Sequence, residues 1–167
     1  MLRHIYKSPL GSIILISHQG EIVYCNWDSE ECSLKESAIL KHCNNQVSEK
    51  DSLLILEAVE QLDSYFFLKS DKFDLPIKLI GSHFQLKVWN ALKLIKYGET
   101  VSYKELAETI GRPSAVRAVA NACGKNPVAI IIPCHRVVSS SGNLGGYTGG
   151  IEKKKALLKI EKINECL

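Results

Sequence analysis

The sequence predicts an α/β fold of the α+β kind in two parts: a small antiparallel sheet with helix over residues 1–80, then a mostly helical part over residues 81–167. Three observations predict it. Short runs of alternating apolar and polar residues, separated by Gly-containing turns, fill the stretch from Met1 to Trp27, which is hairpin patterning. Near Leu79–Gly81 the pattern gives way to helix-start signatures, Ser82-x-x-Gln85 and then Ser102-x-x-Glu105, each a capping box. The charge changes at the same place. Residues 1–80 carry 8 Lys/Arg against 12 Asp/Glu, and residues 81–167 carry 13 against 6. The net +7 of the second part puts any polyanionic partner there.

A chain of 167 residues with 46% hydrophobic content has enough apolar material for a core, which excludes a disordered chain. It has no apolar run of membrane-spanning length and no secretory pattern at Met1–Leu10, so a soluble, cytoplasmic protein is expected. The cysteines at 25, 32, 43, 123, 134 and 166 form no CxxC pair, and reduced thiols fit that compartment.

In order, Met1–Lys7 reads as a first strand, and Ser8-Pro9-Leu10-Gly11 as a turn with Pro and Gly where a type II turn wants them. Ser12–Ser17 and Glu21–Trp27 are the next two strands. Asp28–Lys50 is polar and acidic, with weak helical character over Leu34–Leu40. Asp51–Leu68 is an amphipathic helix, and Phe73–Ile77 is a further strand or an extended linker. His4, Cys25, Cys32, His42 and Cys43 match no zinc-ligand spacing, so no metal is expected.

Ser82 opens a helix through Lys96, with Phe84, Val88, Trp89, Leu92 and Ile95 on its buried face. Ser102 opens a shorter one that closes at Gly111. Pro113 suits a first helical position, and Ser114–Cys123 makes another helix. The last two have helix-turn-helix proportions. Ala115, Ala118, Ala120 and Ala122 leave the second almost bare around Arg117. Such a helix suits either tight packing or close approach to a nucleic-acid groove.

Ile130–Ile132 reads as a buried strand stopped by Pro133. It would present Cys134 at the end of a rigid element, as a nucleophile requires. His135 and Arg136 would favour the thiolate. Side chains next to one another on an extended chain point to opposite faces, so a His135 base would need a water relay or a sharp bend. The Gly-rich run from Gly142 to Gly150 lets backbone approach a ligand, with Tyr147 as a wall for something flat. Ile151–Ile163 is a closing helix, whose Lys153, Lys154 and Lys155 read as a solvated face.

Together these residues resemble the O6-alkylguanine-DNA alkyltransferase family (methylated-DNA–protein-cysteine methyltransferases). The resemblance rests on Phe84-x-x-x-Val88-Trp89, Gly98-Glu99-Thr100-Val101-Ser102-Tyr103, Arg117-Ala118-Val119, Asn126-Pro127, Ile132-Pro133-Cys134-His135-Arg136-Val137-Val138 and Gly146-Tyr147-x-Gly149-Gly150. It is close over residues 81–165 and looser before them.

The resemblance implies a ribonuclease-H-like N-terminal part and a winged helix-turn-helix C-terminal part. It implies Cys134 as alkyl acceptor, His135 as a base acting through a water, Glu161 as the carboxylate orienting it, and Asn126 as a brace. Tyr103 would meet DNA by crowding the target phosphate and would protonate the departing base. Arg117 would fill the gap in the base stack, with Ser102, Ala115, Ala118, Asn121 and Arg136 also meeting DNA. Val137, Tyr147 and Thr148 would line the base pocket. Two positions depart from the family pattern, Ala120 where some relatives have glycine and Asn121 where alanine or glycine is frequent.

The implied activity is transfer of an alkyl group from O6-alkylguanine, with O4-alkylthymine as a further candidate, in one irreversible turnover. It needs no cofactor. The implied partner is double-stranded DNA, met by a protein expected to be monomeric without it. The alternative is a non-catalytic alkyltransferase-like module that recognises damage; such proteins replace the cysteine that Cys134 preserves here. A cysteine hydrolase would need an oxyanion hole, of which the sequence bears no sign. A plain helix-turn-helix regulator would leave Pro133–Arg136 idle.

Overall fold

The computed structural model describes residues 1–44, 46–68, 70 and 72–161. It forms two compact units, Met1–Ile80 and Gly81–Leu167. In the first, β1 (Leu2–Ser8), β2 (Gly11–His18) and β3 (Glu21–Trp27) make an antiparallel sheet in the order β1-β2-β3. The register pairs Ile5 with Ile14 and Leu15 with Cys25, and a bulge falls at Ile16/Ser17. β2 and β3 are buried along nearly their whole length, because helices pack on the sheet.

Helix α1 (Glu30–Leu40) lies on β3, with Ile39 in a cluster with Ile14, Ile16, Val23 and Tyr24. It starts one turn earlier than its apolar residues indicate. Glu30 and Glu31 suit the positive end of the helix, and Cys32 shares the inward side with Ile39. Helix α2 (Glu49–Asp63) packs on β1 and β2. Ser48 and Asp51 form a reciprocal capping box that sets its start. A π-helical turn at Ser64–Leu68 ends it and turns Tyr65 and Phe66 inwards. Phe73–Ile77 is extended and touches the sheet through a single parallel bridge, Ile22 to Ile77. Pro76 has no N–H to carry the ladder further.

In the second unit α3 (His83–Leu92) begins at the Ser82–Gln85 capping box. It ends sooner than Lys96, and Leu94 points into solvent. β4 (Val101–Ser102) leads into α4 (Tyr103–Thr109), opened by the Ser102–Glu105 capping box. A 3-10 turn at Pro113–Ala115 feeds α5 (Val116–Gly124). α3, α4 and α5 pack on one another, and Trp89 Nε1 donates to the Ala122 carbonyl at 2.8 Å, fixing α3 against α5.

The expected strand at Ile130–Ile132 is absent. The segment is buried but folded into successive turns, with Ile131 N bonded to Ala129 O and Ile132 N to Val128 O. Ile130 has φ +72°, which costs a β-branched residue about 1–3 kcal/mol. β5 (Val137–Val138) then pairs in parallel with β4, Val101 with Val137 and Ser102 with Val138. α6 (Ile151–Ile160) closes the described chain; positions 162 and 163 of the expected closing helix, like Cys166, lie outside the described residues. Among the described residues no helix is long and apolar enough to cross a membrane.

Candidate active site

The turns before Cys134 owe their shape to one buried amide. Asn126 donates from Nδ2 to the Ile132 carbonyl at 2.8 Å, and its Oδ1 accepts from Val128 N–H at 3.0 Å. This satisfies backbone groups that no sheet pairs. Cys134, His135 and Arg136 then form a single 3-10 turn, all three buried. At three residues per turn, successive side chains stand about 120° apart rather than opposed. That is the sharp bend that a His135 base requires.

His135 is fully buried, and its Nε2 lies 2.7 Å from Glu161 Oε1. Glu161, at the end of α6, also accepts from Arg136, Nε to Oε2 at 2.9 Å and Nη2 to Oε1 at 3.1 Å. Burial opposes the Glu161 charge, but the His135 and Arg136 contacts overcome it and hold the carboxyl at about 2. For His135 burial wins and pushes the ring below its ordinary value, against the pull of Glu161. The imidazole is therefore neutral at pH 7, donating its Nε2–H to the carboxylate. Its Nδ1 is buried without a hydrogen-bond partner among the described residues, a free lone pair for a proton leaving a neighbouring thiol.

Arg136, expected to meet DNA, has its guanidinium turned inwards: the residue is 6% exposed, bonds Glu161, and gives Nη1 to the Ile95 carbonyl at 2.7 Å. Its centre stands 5.7 Å from that of the Tyr97 ring. Its task in the structure is to hold the carboxylate.

The remaining expected residues fall in two groups. Val137 is buried, while Tyr103, Tyr147 and Thr148 are half-buried. Thr148 Oγ1 donates to the Gly124 carbonyl at 2.7 Å, tying the Gly-rich segment to the end of α5. Tyr103 stands at the start of α4 with its hydroxyl 3.5 Å from the Gly146 carbonyl. Burial, then the Cys123 and Cys134 thiols, push its phenol up to about 12, so it keeps its proton at neutral pH. Arg117, Ala118 and Asn121 are exposed on α5, with Ala115 half-buried beside them. The Ser102 hydroxyl is occupied as the α4 cap, accepting from Glu105 N–H at 3.1 Å.

Lys154 was expected on a solvated face and is instead fully buried. Its ammonium donates to the Val137 and Leu144 carbonyls. The sequence held a signal for this. Lys154, Leu157 and Leu158 are spaced i, i+3, i+4, so the lysine falls on the inward stripe of α6.

The chain matches two family models, the 6-O-methylguanine DNA methyltransferase ribonuclease-like domain over residues 1–79 and the DNA binding domain of the same family over residues 83–163. It is 43% identical over 155 residues to the methylated-DNA–protein-cysteine methyltransferase of Mycobacterium leprae, covering 93% of this chain and 88% of that one. Identity to the Mycobacterium bovis protein of the same name is 55% over 105 residues, a match that takes in 63% of this chain and 64% of the relative. Among solved structures, Mycobacterium tuberculosis OGT in complex with DNA superposes with a TM-score of 0.78 at 39% identity, covering 96% of this chain and 92% of that one.

Proposed function

Since the chain belongs to the 6-O-methylguanine DNA methyltransferase family, we propose that it repairs duplex DNA by taking the alkyl group of O6-alkylguanine onto Cys134. The observation that carries this reading is the buried pairing of His135 and Arg136, on the turn that begins with Cys134, with Glu161 at the end of α6. In a duplex the O6-alkyl carbon cannot be attacked in line while its base is stacked. The base must be turned out, at a cost of a few kcal/mol. α5 supplies the contact surface: Arg117 enters the vacated stack, and Ala115, Ala118 and Asn121 approach the backbone closely. The positive second half of the chain supplies the general attraction to phosphate. Val137, Tyr147 and Thr148 receive the base.

His135 Nδ1 accepts the Cys134 proton through a water, and the Glu161 carboxylate stabilises the imidazolium that forms. The thiolate attacks the alkyl carbon; the C–S bond forms as the C–O6 bond breaks, and Tyr103 returns a proton to the departing guanine. The product is a thioether, which water does not cleave. Each molecule therefore acts once, in the cytoplasm, where its thiols stay reduced. The parts need no metal or cofactor.

Intact-mass measurement after mixing with a duplex containing one O6-methylguanine tests this. One added methyl per molecule, mapping to the Cys134 peptide, is expected. No gain, with the damaged duplex still preferred over undamaged DNA, would overturn transfer and leave a damage-recognition module. In Cys134→Ala transfer disappears while DNA binding persists.

A further inference from the structure

One charge beside the acceptor turn has no part in this relay. The Lys154 ammonium, fully buried, bonds the Val137 carbonyl at 2.5 Å and the Leu144 carbonyl, and stands 6.0 Å from the centre of the Tyr103 ring. One group thereby ties the exit of the Cys134 turn, the Gly-rich segment and the start of α4. A buried ammonium is expensive unless something offsets it. Burial, only partly offset by Cys134 and Cys123, leaves Lys154 lowered to about 8.

Among the described residues no carboxylate pairs with Lys154. Two neutral carbonyls satisfy its donors but not its charge. Of the titratable groups facing it, Tyr103 keeps its proton and burial holds the Cys123 thiol protonated. His135, which also feels Lys154, is neutral. Of these groups, Cys134 is the one on which the ammonium can act as a counter-charge, three residues before the Val137 carbonyl that it bonds.

We propose that Lys154 is the counter-charge and positioning residue of the alkyl acceptor: its buried ammonium favours the Cys134 thiolate and clamps the acceptor turn to the Gly-rich segment beside Tyr103. The proposal rests on Cys134 being the acceptor. Favour between two charges is reciprocal. What the ammonium does for the thiolate, the thiolate does for the ammonium, so alkylation of Cys134 must weaken the hold of Lys154 on its proton.

The test is the pH dependence of Cys134 carbamidomethylation by iodoacetamide, read by peptide mass in the absence of DNA, in the native protein and in Lys154→Met. The reagent reports the thiolate whether or not alkyl transfer occurs. The expected result is a midpoint raised by about one pH unit, hence a roughly tenfold slower reaction at neutral pH, with an unchanged rate at the alkaline plateau. Lys154→Arg should restore the midpoint. An unchanged midpoint would overturn the proposal, even if transfer from DNA were slower, and so would an equal fall at every pH.

Should Lys154→Met not fold, the native chain serves. The Lys154 amine, followed by nitrogen NMR, should titrate at lower pH once Cys134 is carbamidomethylated, and an unmoved titration would overturn the proposal. A raised midpoint in Lys154→Met, in a protein that takes no methyl from the O6-methylguanine duplex, would remove the acceptor reading and uphold the pairing of Lys154 with Cys134.

Discussion

Replacing Arg136 by Met separates an inward task for this residue from a DNA contact. The substitution keeps most of the volume and removes two bonds to Glu161, at 2.9 and 3.1 Å, and one to the Ile95 carbonyl at 2.7 Å. Removing one partner of a buried ion pair costs about 3–5 kcal/mol, because the other charge stays buried without it. The carboxyl itself gives a second measure. A group held at about 2 in the folded protein, against about 4.3 in an unfolded chain, contributes on the order of 3 kcal/mol at neutral pH. His135 contributes to that lowering ahead of Arg136, so the second figure is an upper bound on the share that the Arg136 pair supplies through the carboxyl.

Because the folded value is the lower one, this stability is present above about pH 5 and is lost as pH falls towards 2. The difference between Arg136→Met and the native protein should therefore be widest at neutral pH and close in acid. Urea denaturation followed by circular dichroism between pH 7 and 3 measures it. Fluorescence anisotropy with a DNA duplex at several salt concentrations measures the other half. A lost phosphate contact would lower the salt slope by about 0.9, and the expected change is none. A variant as stable as the native protein with a slope reduced by one contact would refute the inward task of Arg136.

Asn126→Ala should cost about 2–5 kcal/mol, since it leaves the Ile132 carbonyl and the Val128 N–H buried and unpaired; thermal melting checks the loss, and methyl transfer should fall with it. In Gly145→Ala the new Cβ would stand 3.0 Å from Tyr103 Cε2 and 3.2 Å from its hydroxyl, on backbone at φ +68°. Tyr103 must shift, so single-turnover transfer should slow by roughly tenfold or more, with undamaged-DNA affinity unchanged in the same anisotropy assay. Protein methylated at Cys134, which is 8% exposed, should melt lower than unmodified protein, since one extra methyl overpacks the site by about 1–3 kcal/mol. Calorimetry before and after reaction with the damaged duplex reads this directly.

Much of the fold was legible because its signals are local. Ser82 with Gln85 and Ser102 with Glu105 satisfy each other's backbone within one turn, so four residues suffice to predict each helix start. The hairpin strands are legible for the same reason, their turns lying between adjacent segments. The identity of Cys134, His135 and Glu161 as a set came from the resemblance, not from periodicity. Tertiary structure decided the rest.

Ile130–Ile132 has the composition of a strand, yet Asn126 offers its backbone different partners and folds it into turns. Arg136 and Lys154 are charged, and charge alone predicts exposure. Their burial depends on Glu161 in one case and on the Val137 and Leu144 carbonyls in the other, from 10 to 25 positions away in the chain for the nearest and farthest of these. Local sequence determines what a side chain can bond. Only the folded chain determines whether a distant acceptor stands where burial would otherwise cost too much.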